Sequence, residues 1–130
     1  MKWLVIGLIG IAAYWGINAA SGAAMQEFDP ASLNVALRNK DKVVVVEYFA
    51  ATSDCKDLSD KFEKVANRYT SEAIIGKLDI NKHTSFAETK LDGVRGSPYT
   101  QVFVKGKMVE DFIGSRPENE LRAMILRHQF

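Results

Sequence analysis

The spacing of hydrophobic and polar positions divides this chain into one long uncharged stretch followed by short periodic segments. Residues 3–25, WLVIGLIGIAAYWGINAASGAAM, carry no charged side chain. As a helix rising ~1.5 Å per residue they would cover ~34 Å, enough for a hydrocarbon core of ~30 Å. The pattern therefore predicts one N-terminal transmembrane helix. The rival is a signal peptide cut after the small-x-small pair Ser21 and Ala23, for which the apolar region is long. Beyond it, FDPASLNVALRN reads as a short helix with Asp29 as N-cap and Pro30 in the first turn. Residues 43–49, VVVVEYF, form an apolar, β-branched run broken only by Glu47, as expected of a strand covered on both faces. Leu58, Phe62, Val65, Ala66 and Tyr69 recur at helical spacing and predict a helix from Asp54 to Tyr69, capped by Asp54 or Ser53.

The same reading continues to the C-terminus. AIIGKLDI, residues 73–80, is a second inner strand, and TSFAETKL is a short helix. YTQVFV and KMVEDFIG alternate as two strands around Lys105-Gly106, a hairpin turn. SRPENELRAMILRHQF closes the chain as a helix, with capping-box spacing from Ser115 to Glu118 and Leu121, Met124, Ile125 and His128 on one face. The expected organisation is an anchor over residues 1–26 and one α/β domain over residues 27–130.

Charges around the anchor set its expected orientation. Lys2 precedes the span, and Glu27 and Asp29 are the first charges after it, which favours the N-terminus inside. The domain would then face the extracytosolic side of a bacterial or mitochondrial inner membrane, in the periplasm or intermembrane space. Within the span Ala12, Gly16, Ala20 and Ala24 recur every four residues as a ridge of small side chains, and Asn18 adds a polar group. Such a ridge lets a second helix approach closely. The partners expected are thus the bilayer and other membrane protein subunits.

Composition removes several alternatives. Seventeen basic residues against sixteen acidic ones, without long runs, leave no electrostatic footprint for nucleic acid. The chain has a single cysteine, Cys55, so a self-contained dithiol cycle is ruled out. His83 and His128 stand far apart with no ligand at metal-binding spacing, and both read as solvated surface residues. No metal and no cofactor are expected.

Specific residues then carry a resemblance. VVEYFAATSDCKDL resembles the active-site segment of the thioredoxin family, in which a strand bearing a buried acid and an aromatic pair runs into a CxxC at a helix start. VRGSPYTQVFVKGKMVEDFIG is similar to the family's second signature, a residue-Pro pair with a cis peptide followed by strand, Lys-Gly turn, strand and glycine. GKLDIN matches the strand between them. The resemblance covers residues 27–130 and implies the thioredoxin fold, a central mixed sheet flanked by helices. It places Cys55 at the second, buried cysteine and Thr52 at the first, nucleophilic one, so the motif reads Thr52-Ser53-Asp54-Cys55. One residue is missing before it, and a shifted gap would place Ser53 there instead. Glu47 matches the buried acid that assists proton transfer, Lys77 its basic neighbour, and Pro98 the cis-proline. Ser97, Pro98 and Tyr99 match a loop that pairs with an extended partner.

A dithiol reductase needs a low-pKa thiolate to attack and a second thiol to resolve the mixed disulfide, and a threonine hydroxyl does neither. Glu47 and Lys77 accordingly read as a retained ion pair, since losing one partner strands the other. The expected function is a non-catalytic, thioredoxin-like accessory or assembly subunit of a larger membrane complex, a role the family permits in respiratory complexes among others. The alternative is a membrane-anchored monothiol oxidoreductase or chaperone using Cys55. Exposure of Cys55 discriminates between them.

Overall fold

A computed structural model describes residues 24–94 and 96–129. The expected membrane helix, with Ala12, Gly16, Asn18 and Ala20 of its small-residue ridge, lies outside the described residues. Among the described residues no helix is long and apolar enough to cross a membrane. Ala24, the last member of that ridge, is not helical. Its N–H donates to Asn67 Oδ1 at 3.2 Å, and Ala24 and Met25 pack against the core of the domain. The expected span therefore runs two residues too far, because composition alone cannot separate a membrane alanine from one packed in a protein core.

The elements are β1 (Gln26–Phe28), α1 (Pro30–Leu37), β2 (Val43–Phe49), α2 (Ser53–Arg68), β3 (Ala73–Asp79), α3 (Thr84–Lys90), β4 (Tyr99–Val104), β5 (Lys107–Ile113) and α4 (Glu118–Arg127). They build one five-stranded mixed sheet in the order β1-β3-β2-β4-β5. β3 runs parallel to both β1 and β2, while β4 is antiparallel to β2 and to β5. The thioredoxin fold expected from the sequence is the fold found.

β2 sits at the centre because it is apolar on both faces, and six of its seven residues are buried. Val43 and Val45 face a core closed by Leu58, Phe62 and Val65 of α2 and Leu121, Met124 and Ile125 of α4. Val44, Val46 and Tyr48 face the opposite core, built with Phe28, Leu33 of α1 and Leu78. Two layers of helix on one sheet remove both faces of β2 from water, which a seven-residue strand with six apolar side chains demands.

β1 is absent from the sequence reading. It has three residues, two of them exposed, and so carries no strand periodicity of its own. Its position is marked instead by Gly76, opposite Gln26 in the β1–β3 register. A Cβ on Gly76 would lie 2.5 Å from Phe28 Cε2, so the glycine exists to let the Phe28 ring lie on the sheet. The boundary expected after residue 26 thus falls inside β1. The closing helix also starts later than expected. Pro117 is its N-cap, with no side-chain capping bond. Ser115 Oγ donates to Asp57 Oδ2 at 2.7 Å, tying the loop to α2 instead of capping α4.

Candidate functional site

The site forms where β2 leaves the sheet. Its last residue, Phe49, leads into a tight turn in which Thr52 N–H donates to Ala50 O at 2.9 Å, and α2 begins at once with Ser53. Thr52 is the N-cap: its backbone is extended, and its Oγ1 accepts from Cys55 N–H at 3.2 Å. The sequence reading placed the cap at Asp54 or Ser53, one or two residues late. Thr52 wins because its backbone is still extended as the chain leaves the turn, which holds the hydroxyl over the free N–H groups of the first helical turn. The residue at the expected nucleophile position thus spends its oxygen on the helix.

Cys55 lies one position beyond those exposed turn residues and points inward, 1% exposed. Its Sγ accepts from Ala50 N–H at 3.4 Å. Thr52, Ser53 and Asp54 are all exposed. The sulfur is therefore walled off from the cleft by its own helix start.

Glu47 is fully buried, on the face of β2 covered by α2. Oε1 accepts from Ser59 Oγ at 2.8 Å. Among the described residues Oε2 has no hydrogen-bond partner, and neither does Thr100 Oγ1 at the facing position of β4. Burial pushes the Glu47 carboxyl up to about 7, against the opposing pull of the Ser59 hydrogen bond and the Lys77 charge. The expected Glu47–Lys77 ion pair is not formed. The two are register partners on β2 and β3, but Lys77 Nζ lies 5.0 Å from the centroid of the Phe49 ring. A half-exposed ammonium keeps its hydration and a ring face at the cleft mouth, whereas turning inward would desolvate it. Ser59 and Thr100 were missed by the sequence reading. Ser59 stands one helical turn after Cys55, on the buried face of α2, and that spacing was the available signal.

Ser97–Pro98 is a cis peptide, and the loop enters β4 at the sheet end where β2 leaves, because the two strands are antiparallel. Pro98 O accepts from Gly114 N–H at 2.8 Å. Of the three residues expected to meet a partner, Ser97 is exposed, while Pro98 and Tyr99 are buried. The Tyr99 ring stacks on Tyr48 with centroids 5.9 Å apart, and its hydroxyl donates to Asp111 Oδ2 at 2.7 Å. Burial and then that bond raise its pKa. Tyr99 is a core side chain because residue alternation after a buried proline turns it inward, so its contribution to any contact is backbone only.

Beside the start of α2, where β2 ends, runs an open cleft of roughly 530 Å³, walled by Phe49, Thr52, Ser53, Lys56, Asp60 and Lys77. Lys56 is ion-paired with Asp60 at 3.2 Å, which leaves Lys77 as the cation over its apolar wall. Elsewhere, His128 is half-buried and not the solvated residue expected. It lies 2.8 Å from Glu110, which also meets Arg127 at 2.7 Å and Arg116 at 3.5 Å, and so joins α4 to β5. Among the described residues, no three His, Cys, Asp or Glu side chains gather where a metal ion could be held.

Comparison with known proteins agrees with this fold. The family model described as Thioredoxin matches residues 24–127. Protein disulfide isomerase-like 2-3 of Oryza sativa subsp. japonica is 33% identical over 98 residues, which cover 75% of this chain and 22% of that protein. The chain thus spans under a quarter of that relative, and 24% of a second, from Arabidopsis thaliana. Thioredoxin 2 of Chlorobaculum tepidum is 31% identical over 91 residues, 69% of this chain and 82% of that one. Among solved structures, a thioredoxin from Halobacterium salinarum superimposes with a TM-score of 0.70 at 24% identity, covering 82% of this chain and 90% of that one. Chloroplastic thioredoxin z gives 0.72 at 20% identity, covering 79% and 92%.

Proposed function

This chain belongs to the thioredoxin family, and from that premise we propose that it is a non-catalytic thioredoxin-like subunit, held at a membrane and serving assembly or accessory contacts in a larger complex, a respiratory one included. The observation that carries this reading is the state of the one thiol. Cys55 is 1% exposed, and the position before it that would attack a disulfide holds Thr52, whose hydroxyl caps α2. Thiol–disulfide exchange begins with an accessible thiolate and ends with a second thiol that resolves the mixed disulfide. Here the first is buried and the second is lacking.

Membrane attachment rests on the uncharged stretch of residues 3–25, less Ala24 and Met25, which pack in the domain. Twenty-one uncharged positions remain, still long enough for a hydrocarbon core at ~1.5 Å per residue. An orientation with the domain on the extracytosolic side of a bacterial or mitochondrial inner membrane follows from Lys2 before the span and Glu27 and Asp29 after it. Its partners are other membrane subunits, met through Ala12, Gly16, Asn18 and Ala20 of the helix and through the cleft and the Ser97–Pro98 loop of the domain.

Mild detergent extraction, native separation and mass spectrometry of what travels with the full-length protein test this. A defined complex of larger mass supports it, and migration as a free monomer overturns it. A second reading, a monothiol oxidoreductase or chaperone, draws on the place of Cys55 in the first turn of a helix, where its Sγ accepts from Ala50 N–H, and on the names of the relatives, thioredoxins and disulfide isomerases. Its mark would be a mixed disulfide with a client protein or glutathione, trapped at Cys55 and lost in Cys55→Ala.

A further inference from the structure

The uncharged stretch of residues 3–23 runs directly into Ala24, and Ala24 is held: its N–H donates to Asn67 Oδ1 at 3.2 Å, in the last turn of α2. That turn stands at one end of the sheet, because Ala73 N–H, opening β3, donates to Tyr69 O at 2.9 Å. β2 and β3 start side by side, Val43 against Ala73. β4 is antiparallel to β2, so it ends where β2 starts, and the turn at Lys105 and Gly106 follows there. α1 ends at the same place, since a Cβ on Gly106 would lie 3.5 Å from Leu37 O. The chain therefore enters the domain at the end of β2 opposite Phe49, Thr52 and the Ser97–Pro98 loop.

That end is basic. Arg38 and Lys40 follow α1, Lys42 precedes β2, Arg68 closes α2, and Lys105 and Lys107 flank Gly106. All are exposed except Lys42, which is half-buried and donates to Thr70 O at 2.9 Å. Asn39 Oδ1 accepts from the N–H groups of Asp41 and Lys42, at 2.8 and 2.9 Å, and so fixes the turn that carries Lys40. The acids in these turns are Asp41 and Glu72. Beyond Lys2 the sequence holds sixteen basic and sixteen acidic side chains, so an end with six of the former and two of the latter leaves the rest of the domain net negative. Residue order hides this polarity. Glu27 and Asp29 are the first charges after the uncharged stretch, but β1 runs parallel to β3 and carries them up the sheet, whereas α1 brings the chain back to its point of entry.

We propose that this basic end is a docking surface for the anionic phospholipid headgroups of the bilayer, which holds the domain upright on the membrane. The inference rests on the membrane reading given above and adds which end of the domain meets the lipid, in either leaflet. Lys and Arg are drawn to an anionic surface only within about a Debye length, ~8 Å at physiological salt. With Ala24 held to α2, no spacer separates the uncharged stretch from these side chains, and they lie at that range. The guanidinium groups of Arg38 and Arg68 suit a phosphate, which a planar fork of donors binds in two places. Seven residues of β2, at ~3.3 Å each, then lift the cleft and the Ser97–Pro98 loop roughly 20 Å above that surface. A subunit that meets them must project from the membrane by that distance.

The test places the full-length protein in nanodiscs of phosphatidylcholine, alone or mixed with phosphatidylglycerol, and acylates its lysines with a water-soluble ester read residue by residue by mass spectrometry. Lys40 and Lys107 are expected to react several-fold more slowly in the anionic discs, and to regain their rate in high salt. Lys82, exposed beyond the far end of β3, is expected to react alike in both. Arg38→Gln combined with Arg68→Gln, both at exposed positions, should abolish the protection while the thermal unfolding transition stays cooperative. The docking is overturned if Lys40 and Lys107 react equally fast in the two discs, if Lys82 is protected as strongly as they are, or if the folded double variant keeps the protection. It is overturned too if protection needs a co-purified subunit, which assigns this end to an acidic protein. A chain that enters neither disc overturns the membrane reading and the docking with it, whereas a chain that inserts without protecting these lysines overturns the docking alone.

Discussion

Glu47 and Thr100 face each other across β2 and β4, and each keeps one buried polar oxygen without a hydrogen-bond partner among the described residues. An interior normally satisfies such atoms or replaces them with apolar groups, so this pair marks a place where the core is less stable than its packing would allow.

That has a direct consequence for pH. The Glu47 carboxyl titrates at about 7 when folded, against 4.5 as its ordinary value. Below the unfolded value both states hold the proton and Glu47 imposes no penalty. Stability is then lost as pH rises from 4.5 towards 7 and levels off above, with a loss on the order of 3 kcal/mol. Glu47→Gln should flatten this slope and exceed the parent in stability on the alkaline side. Urea midpoints measured across the range decide it, and parallel curves for parent and variant would contradict the assignment.

The cap makes a separate expectation. Thr52→Ala removes the acceptor of the Cys55 N–H and should cost about 1 kcal/mol, whereas Thr52→Ser should retain most of it. Chemical denaturation of the three proteins measures this. Equal stability of Thr52→Ala and parent would show that Thr52 does not cap α2.

Burial of the thiol can be read by its reactivity. A bulky maleimide should label Cys55 slowly in the folded protein and rapidly in denaturant, and insulin reduction should not exceed that of Cys55→Ala. Fast native labelling would favour the monothiol reading.

Gly76 should resist enlargement. Gly76→Ala drives a methyl into the Phe28 ring and should cost about 1–3 kcal/mol, because that ring is buried and has little room to retreat. Phe28→Leu combined with Gly76→Ala should lose less than the two single changes added together. Strict additivity would mean that the two side chains do not meet.

Much of this molecule was legible from the chain alone. The runs at 43–49 and 73–80, the helical period from Leu58 to Val65 and the hairpin at Lys105-Gly106 are local patterns, and each became the element expected, the second strand ending one residue early at Asp79. So did the Asp29 cap, where Ser32 completes a capping box. Together with the Cys55 and Pro98 segments they were enough to reach the thioredoxin fold. What sequence did not contain was any decision made by distant residues competing for the same atom. Whether Lys77 would meet Glu47 or the Phe49 ring turns on the cost of desolvating an ammonium, which depends on how deep β2 lies under α2. Whether Ser115 would cap α4 or bond Asp57 turns on α2 standing beside that loop. β1, too short to signal itself, exists because β3 offers an edge and Gly76 a place for Phe28. Local period and cap chemistry are written in the order of residues, whereas the partner of a polar side chain is chosen only once the packed structure has set which atoms lose their water.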